Sequence, residues 1–337
     1  MTNLLSASPN LRIVTFNTQA LLFLTDSNVA TIVPRILVEN LLSLLIEPLK
    51  GATNENPLWL NKLVELGFIA YEAQNQYQNS RNLNLRKFNW RSATDYLNIT
   101  HNYPFLEYDK GGFNQDRNRM DEYLSAEPEQ PRFKSYAEDR IKHQGRNPCV
   151  SADIIASGGT DSCIENIISA LSFSLGVTKE VYLSTGGSLV KKTVPSGGGR
   201  HPIEAYLVDV SQQLVYHFNS KDYTLTTILR KEKNELYGAF FGTQCNYLAF
   251  EVKFAVVLTC IWERNMYRYR EPRTFRSVHL DAGHASMQIE TCLLKMGYRN
   301  QAQYNMEAMT FEKLVELDPL IEGVMSAVMI GDQIHEL

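Results

Sequence analysis

One stretch of the sequence constrains the fold more than any other. Lys253-Phe-Ala-Val-Val-Leu-Thr-Cys-Ile-Trp262 is almost continuously apolar and rich in β-branched residues. A strand of that kind has no polar face to offer solvent, so it predicts the buried centre of a sheet. Its neighbours supply the rest of a domain. Residues 204–210 and 213–218 alternate as two strands with Ser211-Gln212 between them, a predicted hairpin. Residues 164–175 place apolar side chains at 164, 167, 168, 171 and 175, a helix closed by Gly176. Asp281 is placed to cap a helix that runs to Lys295 and stops at Gly297, and residues 324–330 read as a last strand ending at Gly331. Residues 151–337 therefore read as one α/β domain.

A chain of 337 residues has room for about two domains. Residues 1–75 read as a small separate module. Short strands at 11–16 and 20–24 precede a helix opened by Pro34 and running to Ile46. A second helix, 57–66, ends at Gly67 and leads into a strand at 68–71. That order suggests a winged-helix-like unit. Residues 76–150 read as a linker and a wrapping segment: 74–92 is Asn/Gln-rich, and 100–150 is densely charged with few apolar periods.

Composition removes several function classes. The net charge of −4 argues against a protein that holds nucleic acid by bulk positive charge. The apolar run 36–46 is interrupted by Glu39, Asn40 and Ser43 and falls short of a bilayer span, and the start of the chain has no secretory pattern. The five cysteines are scattered and never in Cys-x-x-Cys, and the seven histidines form no i, i+4 pair, so neither a disulfide framework nor a metal site is expected. The expectation is a soluble, cytoplasmic protein with no membrane, nucleic-acid or metal partner.

Three segments could carry chemistry. In Thr193-Val-Pro-Ser-Gly-Gly-Gly-Arg-His-Pro202, Pro195 stiffens the chain and Gly197, Gly198 and Gly199 remove every Cβ from one face. A bare backbone can approach a flat or anionic ligand, with Ser196 and Arg200 beside it, although such a stretch also serves as an ordinary loop. It is neither a Walker A loop nor a Gly-x-Gly-x-x-Gly turn. The segment 263–276 holds five arginines and three aromatics. Its guanidinium forks suit carboxylates or phosphates, and equally a solvated charged loop. Asp281-Ala-Gly-His284 offers a lone histidine, more often a structural residue than a ligand. No Gly-x-Ser-x-Gly elbow occurs.

As a set, in this order, the segments 102–134, Pro195–Val208 and 263–284 resemble the flavin-dependent dehydrogenases of thiazole/oxazole-modified peptide biosynthesis, the SagB/McbC branch of the nitroreductase superfamily. The resemblance implies an α+β, nitroreductase-like fold: a mostly antiparallel central sheet flanked by helices, in an intertwined homodimer with FMN at its interface. It implies that Pro195, Ser196, Gly197, Gly198 and Gly199 line the flavin ring, with Gly198 where a branched side chain would take the ring's place. Members oxidise a thiazoline or oxazoline of a ribosomal peptide to the azole, often beside a cyclodehydratase. An N-terminal winged-helix unit there relates to precursor-peptide recognition.

Two departures from the family pattern stand out. Arg268-Tyr269 replaces a Lys-Tyr pair assigned to ring deprotonation. An arginine stays protonated, which leaves Tyr269 to handle the proton and Arg268 to stabilise it or to bind substrate. The segment 157–162 lacks the arginines that usually hold the flavin phosphate, leaving Arg200 or the backbone near Gly158-Gly159 for that task. These departures keep two other readings open: a scaffold subunit with a degenerate flavin site, and an FMN oxidase acting on a carrier-bound or free small molecule.

Overall fold

The computed structural model describes residues 4–8, 10–24, 29–46, 49–50, 58–71, 87–101, 110–127, 131–137, 140–182, 188–241 and 248–334. It divides into two compact units, Met1–Phe113 and Asn114–Leu337.

The first unit contains two antiparallel three-stranded sheets. Strand β1 (Leu4–Ala7) lies between β5 (Leu49–Lys50) and β6 (Ile69–Tyr71), and β3 (Gln19–Leu24) lies between β2 (Leu11–Thr15) and β4 (Ala30–Pro34). With α1 (Ile36–Ile46) and α2 (Leu58–Glu65) they enclose a core around Leu5, Leu22, Leu41, Leu60 and Phe68. Gly67 follows α2 with φ of 79°, the left-handed turn expected of it, and Phe68 N–H donates back to Leu63 O at 2.9 Å. Pro34 ends a strand, and α1 starts two residues later. Strands β1, β4 and β5 had no strong sequence signal; β5 is two residues long. The segment 74–92 lies mostly outside the described residues, but from Arg91 the chain forms α3 (Arg91–His101).

The second unit begins within α4 (Gly112–Ala126). It is organised by one wholly antiparallel seven-stranded sheet, ordered β14-β15-β13-β10-β11-β12-β7. Its strands are β7 (Ile141–Gln144), β10 (Ile203–Asp209), β11 (Leu214–Asn219), β12 (Thr224–Arg230), β13 (Phe254–Ile261), β14 (Tyr298–Gln303) and β15 (Glu322–Gln333). A separate ribbon pairs β8 (Val177–Tyr182) with β9 (Ser188–Lys192). The architecture is α+β.

The predicted central strand is β13, and the predicted hairpin is β10–β11. The lack of a polar face has a simple cause: both faces of the sheet are covered. Val256 and Leu258 of β13, with Ala205 and Leu207 of β10, pack towards α6 (Cys163–Leu175) and α9 (Thr274–Lys295). Ala255, Val257, Tyr206 and Val208 face the other way, into a core containing Phe311 of α10 (Ala308–Leu314) and Leu236 of α7 (Lys233–Phe241). An antiparallel sheet buried on both faces reads like a parallel one in sequence.

Two expectations are corrected. The charged stretch 100–150 is more than a wrapping segment: it contains the 15-residue helix α4, the edge strand β7 and the start of α5 (Pro148–Ala156). Helix α4 is mostly exposed, so no apolar period marks it. Asp281 does not cap a helix, because α9 starts at Thr274 and Asp281 lies two turns inside it. The start is held by Glu271, whose carboxylate accepts from Arg273 N–H at 2.8 Å and from Thr274 Oγ1 at 3.2 Å.

Candidate functional site

Strand β9 delivers the chain into the glycine loop, where Gly197–Gly199 form a single 3₁₀ turn. Gly198 and Gly199 take φ of 61° and 65°, a conformation that costs other L-residues energy. The loop closes around the buried carboxylate of Asp281. Gly197 N–H donates to Asp281 Oδ1 at 3.0 Å and Ser196 Oγ to Oδ2 at 2.6 Å, while His201 N–H donates to Ser196 Oγ at 2.9 Å. Burial raises the Asp281 pKa, and the hydrogen bonds from Ser196 and Gly197 oppose the shift. His201 Nε2 lies 3.1 Å from Val190 O, which fixes that nitrogen as the donor. Burial and the nearby Lys192 push the His201 pKa down to about 4.

The second predicted segment comes to the same place. After α8 (Trp262–Met266) the chain turns through Arg268 and Tyr269. A Cβ on Gly198 would collide with the Tyr269 hydroxyl, so the tyrosine tip rests on the bare loop. Arg268 lies over the Tyr269 ring, 5.0 Å from its centroid, and pairs with Asp116 of α4. A Cβ on Gly199 would meet nothing within 4 Å. The open face of the loop is thus at Gly199, while the space beside Gly198, expected for a ligand ring, is taken by Tyr269.

Beside Tyr269 lies a largely apolar cavity of about 770 Å³, walled by Trp262, Met266, Thr274, Phe275, Val278 and Leu320. Asn265 also lines it. Ser277 Oγ donates to Thr274 O at 2.8 Å and so must accept from Asn265 Nδ2 at 3.4 Å, which leaves Asn265 Oδ1 buried without a partner. Three arginines of the segment are committed internally: Arg264 to Glu204, Arg268 to Asp116 and Arg270 to Glu127.

A cluster that sequence reasoning missed lies under the loop. Glu204 accepts from Arg264 and lies 2.8 Å from His217 Nε2, with all three side chains buried. Burial favours neutral Glu204, but Arg264, His217 and Lys192 outweigh it and hold the pKa down to about 2. Lys192 donates to Ser220 Oγ at 3.1 Å. Burial pulls its pKa down to about 8; Glu204 opposes that shift and Arg264 adds to it. The signal available in the sequence was a glutamate opening an otherwise apolar strand.

Other expectations are placed as follows. Arg200 Nε donates to Arg264 O at 2.9 Å, and Pro195 precedes the turn beside Asp281 and Lys192. The backbone near Gly158-Gly159 is already used: Gly158 and Gly159 N–H donate to Ile155 O and Ile154 O, and Thr160 N–H to Asn166 Oδ1. His284 is exposed on α9. Residues 102–109 of the first matching stretch lie outside the described residues. Among the described residues, no group of three His, Cys, Asp or Glu could hold a metal, and no helix is long and apolar enough to cross a membrane.

No protein-family model matches the chain. A search of curated proteins finds a relative in Rhizobium leguminosarum bv. trifolii, the trifolitoxin-processing protein TfxB, 26% identical over 275 residues that cover 71% of this chain and 69% of that protein. Among solved structures, a candidate nitroreductase from Anabaena variabilis is 20% identical with a TM-score of 0.48, covering 64% of this chain. The match spans only 45% of that protein's length. The E. coli microcin synthetase McbBCD complex, solved with truncated pro-MccB17 bound, is 16% identical with a TM-score of 0.41, covering 63% of this chain and 73% of the matched one.

Proposed function

We propose that the chain is an FMN-dependent dehydrogenase that oxidises a thiazoline or oxazoline ring of a ribosomally made peptide to the aromatic azole. The observation that carries this reading is the contact of the Tyr269 hydroxyl with a bare glycine loop, at the edge of an apolar cavity. The residues present fit a flavin. Gly199 opens onto free space for a flat ring, and Asn265 Oδ1 is a buried acceptor with no partner. Gly199, with Pro195, Ser196, Gly197 and Arg200 beside it, would hold the cofactor, while Gly198 seats the Tyr269 hydroxyl. When bound, FMN supplies a two-electron acceptor that takes the substrate's hydride and is reoxidised by oxygen.

The chain's own residues handle the remaining proton. Aromatising an azoline removes two ring hydrogens, one as hydride and one as a proton. Tyr269 Oη receives the proton, with the Arg268 guanidinium lying over its ring. Asp116 fixes that guanidinium in place. The kinship with a trifolitoxin-processing protein supports a peptide substrate. Partners of the same kind follow: a precursor peptide, a cyclodehydratase or other maturation subunit, and a second copy of the chain.

The visible spectrum of the purified protein tests the cofactor, and Tyr269→Phe tests the role. The expected result is a flavin spectrum retained by Tyr269→Phe, with azoline turnover reduced on the order of a hundredfold or more. A colourless protein that ignores added FMN sinks the flavin reading. Undiminished turnover by Tyr269→Phe removes the tyrosine from proton transfer.

A further inference from the structure

The apolar cavity beside Tyr269 has more structure than a proton transfer uses. Its volume of about 770 Å³ falls in the range of pockets that hold small ligands. Met266, Phe275 and Leu320 line it yet stay 56%, 48% and 87% exposed, so water reaches a cluster of large apolar side chains. The Trp262 indole in its wall is fixed by Nε1 donating to Pro319 O at 2.8 Å. Of the charged residues that line it, Glu127 pairs with Arg270, and Glu271 holds the start of α9. Asn265 is fully buried, and its Oδ1 has no partner. A site of this make takes a large apolar group that carries an uncharged hydrogen-bond donor.

We infer that the cavity seats the side chain of the residue that follows the azoline in the substrate peptide, a large apolar or aromatic residue whose amide N–H donates to Asn265 Oδ1. The inference rests on the dehydrogenase reading above and names the specificity of that site. Connectivity supports it. Tyr269 lines the cavity and, in that reading, takes the ring proton, so the ring lies at the cavity's edge. Closing an azoline removes the N–H of the residue that forms it, and the ring itself offers no donor. The next donor along the peptide is the amide that follows the ring, and the side chain beyond it is the group within reach of the apolar walls. The flavin imide N–H is the other donor that Asn265 Oδ1 fits, and the experiment separates the two.

The experiment titrates the full-length chain, supplied with FMN, with two short synthetic peptides. Each carries one thiazoline, followed by Phe in one and by Gly in the other. Calorimetry gives the affinities, and Trp262 fluorescence reports entry into the cavity, with Trp262→Phe as the blank. The Phe peptide should bind about ten- to a hundredfold more tightly than the Gly peptide and alone change the Trp262 signal. Val278→Phe, which fills the cavity, should remove that preference and leave the Gly peptide unaffected. Leu320→Glu, at an exposed position, should reduce the preference as well and keeps the test open should Val278→Phe not fold. N-methylation of the amide after the ring should weaken the Phe peptide about tenfold against wild type and not against Asn265→Leu. Equal affinity for the two peptides, or none, overturns the inference while leaving the flavin reading intact. A harmless N-methyl group, with weaker FMN binding by Asn265→Leu, gives the acceptor to the flavin and overturns the assigned hydrogen bond. A preference that survives Val278→Phe, with a dimer dissociated by Leu320→Glu, gives the cavity to a second copy of the chain and overturns the inference too. A wild-type chain that binds no FMN overturns the dehydrogenase reading itself.

Discussion

Glu322 and Glu204 are both carboxylates buried in the central sheet, each 4% exposed, yet their surroundings differ in net sign. Glu322 receives Lys134 Nζ at 2.6 Å, Thr259 Oγ1 at 2.6 Å and Tyr206 Oη at 3.0 Å. One acid meets one base and two hydroxyls, and the charges cancel. Burial opposes the Lys134 charge, yet Glu322 raises its pKa above the ordinary value, while burial and Glu322 push the Tyr206 hydroxyl far up. Glu204 instead has Arg264 and His217 as partners, with Lys192 and Arg200 close by and a cleft above. The first cluster is complete and acts as a structural joint between strands. In the second, one buried carboxylate is shared between Arg264 and His217 with Lys192 nearby.

The largest expected effect breaks the second cluster. Arg264→Leu strands Glu204 without its main counter-charge and should cost about 3–5 kcal/mol in urea denaturation; a loss below about 1 kcal/mol would show that the pair is not buried as described. The pH dependence comes next. Glu204 has a depressed folded-state pKa, so its stabilisation is present above about 4.5 and is lost as pH falls towards 2. His201 has a depressed pKa too, but its folded form is neutral. The unfolded chain binds the proton first, so stability falls as pH drops from 6.5 towards 4. His201→Gln should remove that second loss, worth up to about 3 kcal/mol; an unaltered urea midpoint profile across that range would refute the assignment. The finest comparison uses double substitutions. Lys134→Met with Glu322→Leu should cost less than either single change, because a neutral pair is replaced by apolar groups. Arg264→Met with Glu204→Leu should remain worse by about 2 kcal/mol, since the buried Lys192 loses the nearby carboxylate that favours its charge. Equal outcomes for the two doubles would erase the distinction.

Much of the sheet could be read from the sequence because burial leaves a pattern. Strand β13, the β10–β11 hairpin and α6 with its closing Gly176 all follow apolar periodicity. Helix α4 escaped notice because an exposed helix needs no apolar stripe. The glycine loop and Arg268-Tyr269 were found as separate motifs, and their contact depends on tertiary packing. Asp281 shows the limit most clearly. An aspartate near an apolar run reads as a cap, yet here its carboxylate serves a loop 84 residues away in sequence. The surroundings of Lys192 are equally invisible, because nothing local says that an arginine 72 positions on will share them.

Helix α9 acts as a ruler. Its first turns, at Thr274, Phe275 and Val278, wall the apolar cavity, and Asp281 anchors the glycine loop. Seven residues separate Thr274 from Asp281, about 10 Å of helical rise. That interval is set by backbone geometry rather than by the identity of the side chains between them. Inserting one residue between Val278 and Asp281 would turn the carboxylate by about 100° and release the loop while leaving the cavity wall in place. The cavity and the loop are therefore calibrated to each other by residue count, and side-chain variation along this stretch of α9 is tolerable in a way that length variation is not.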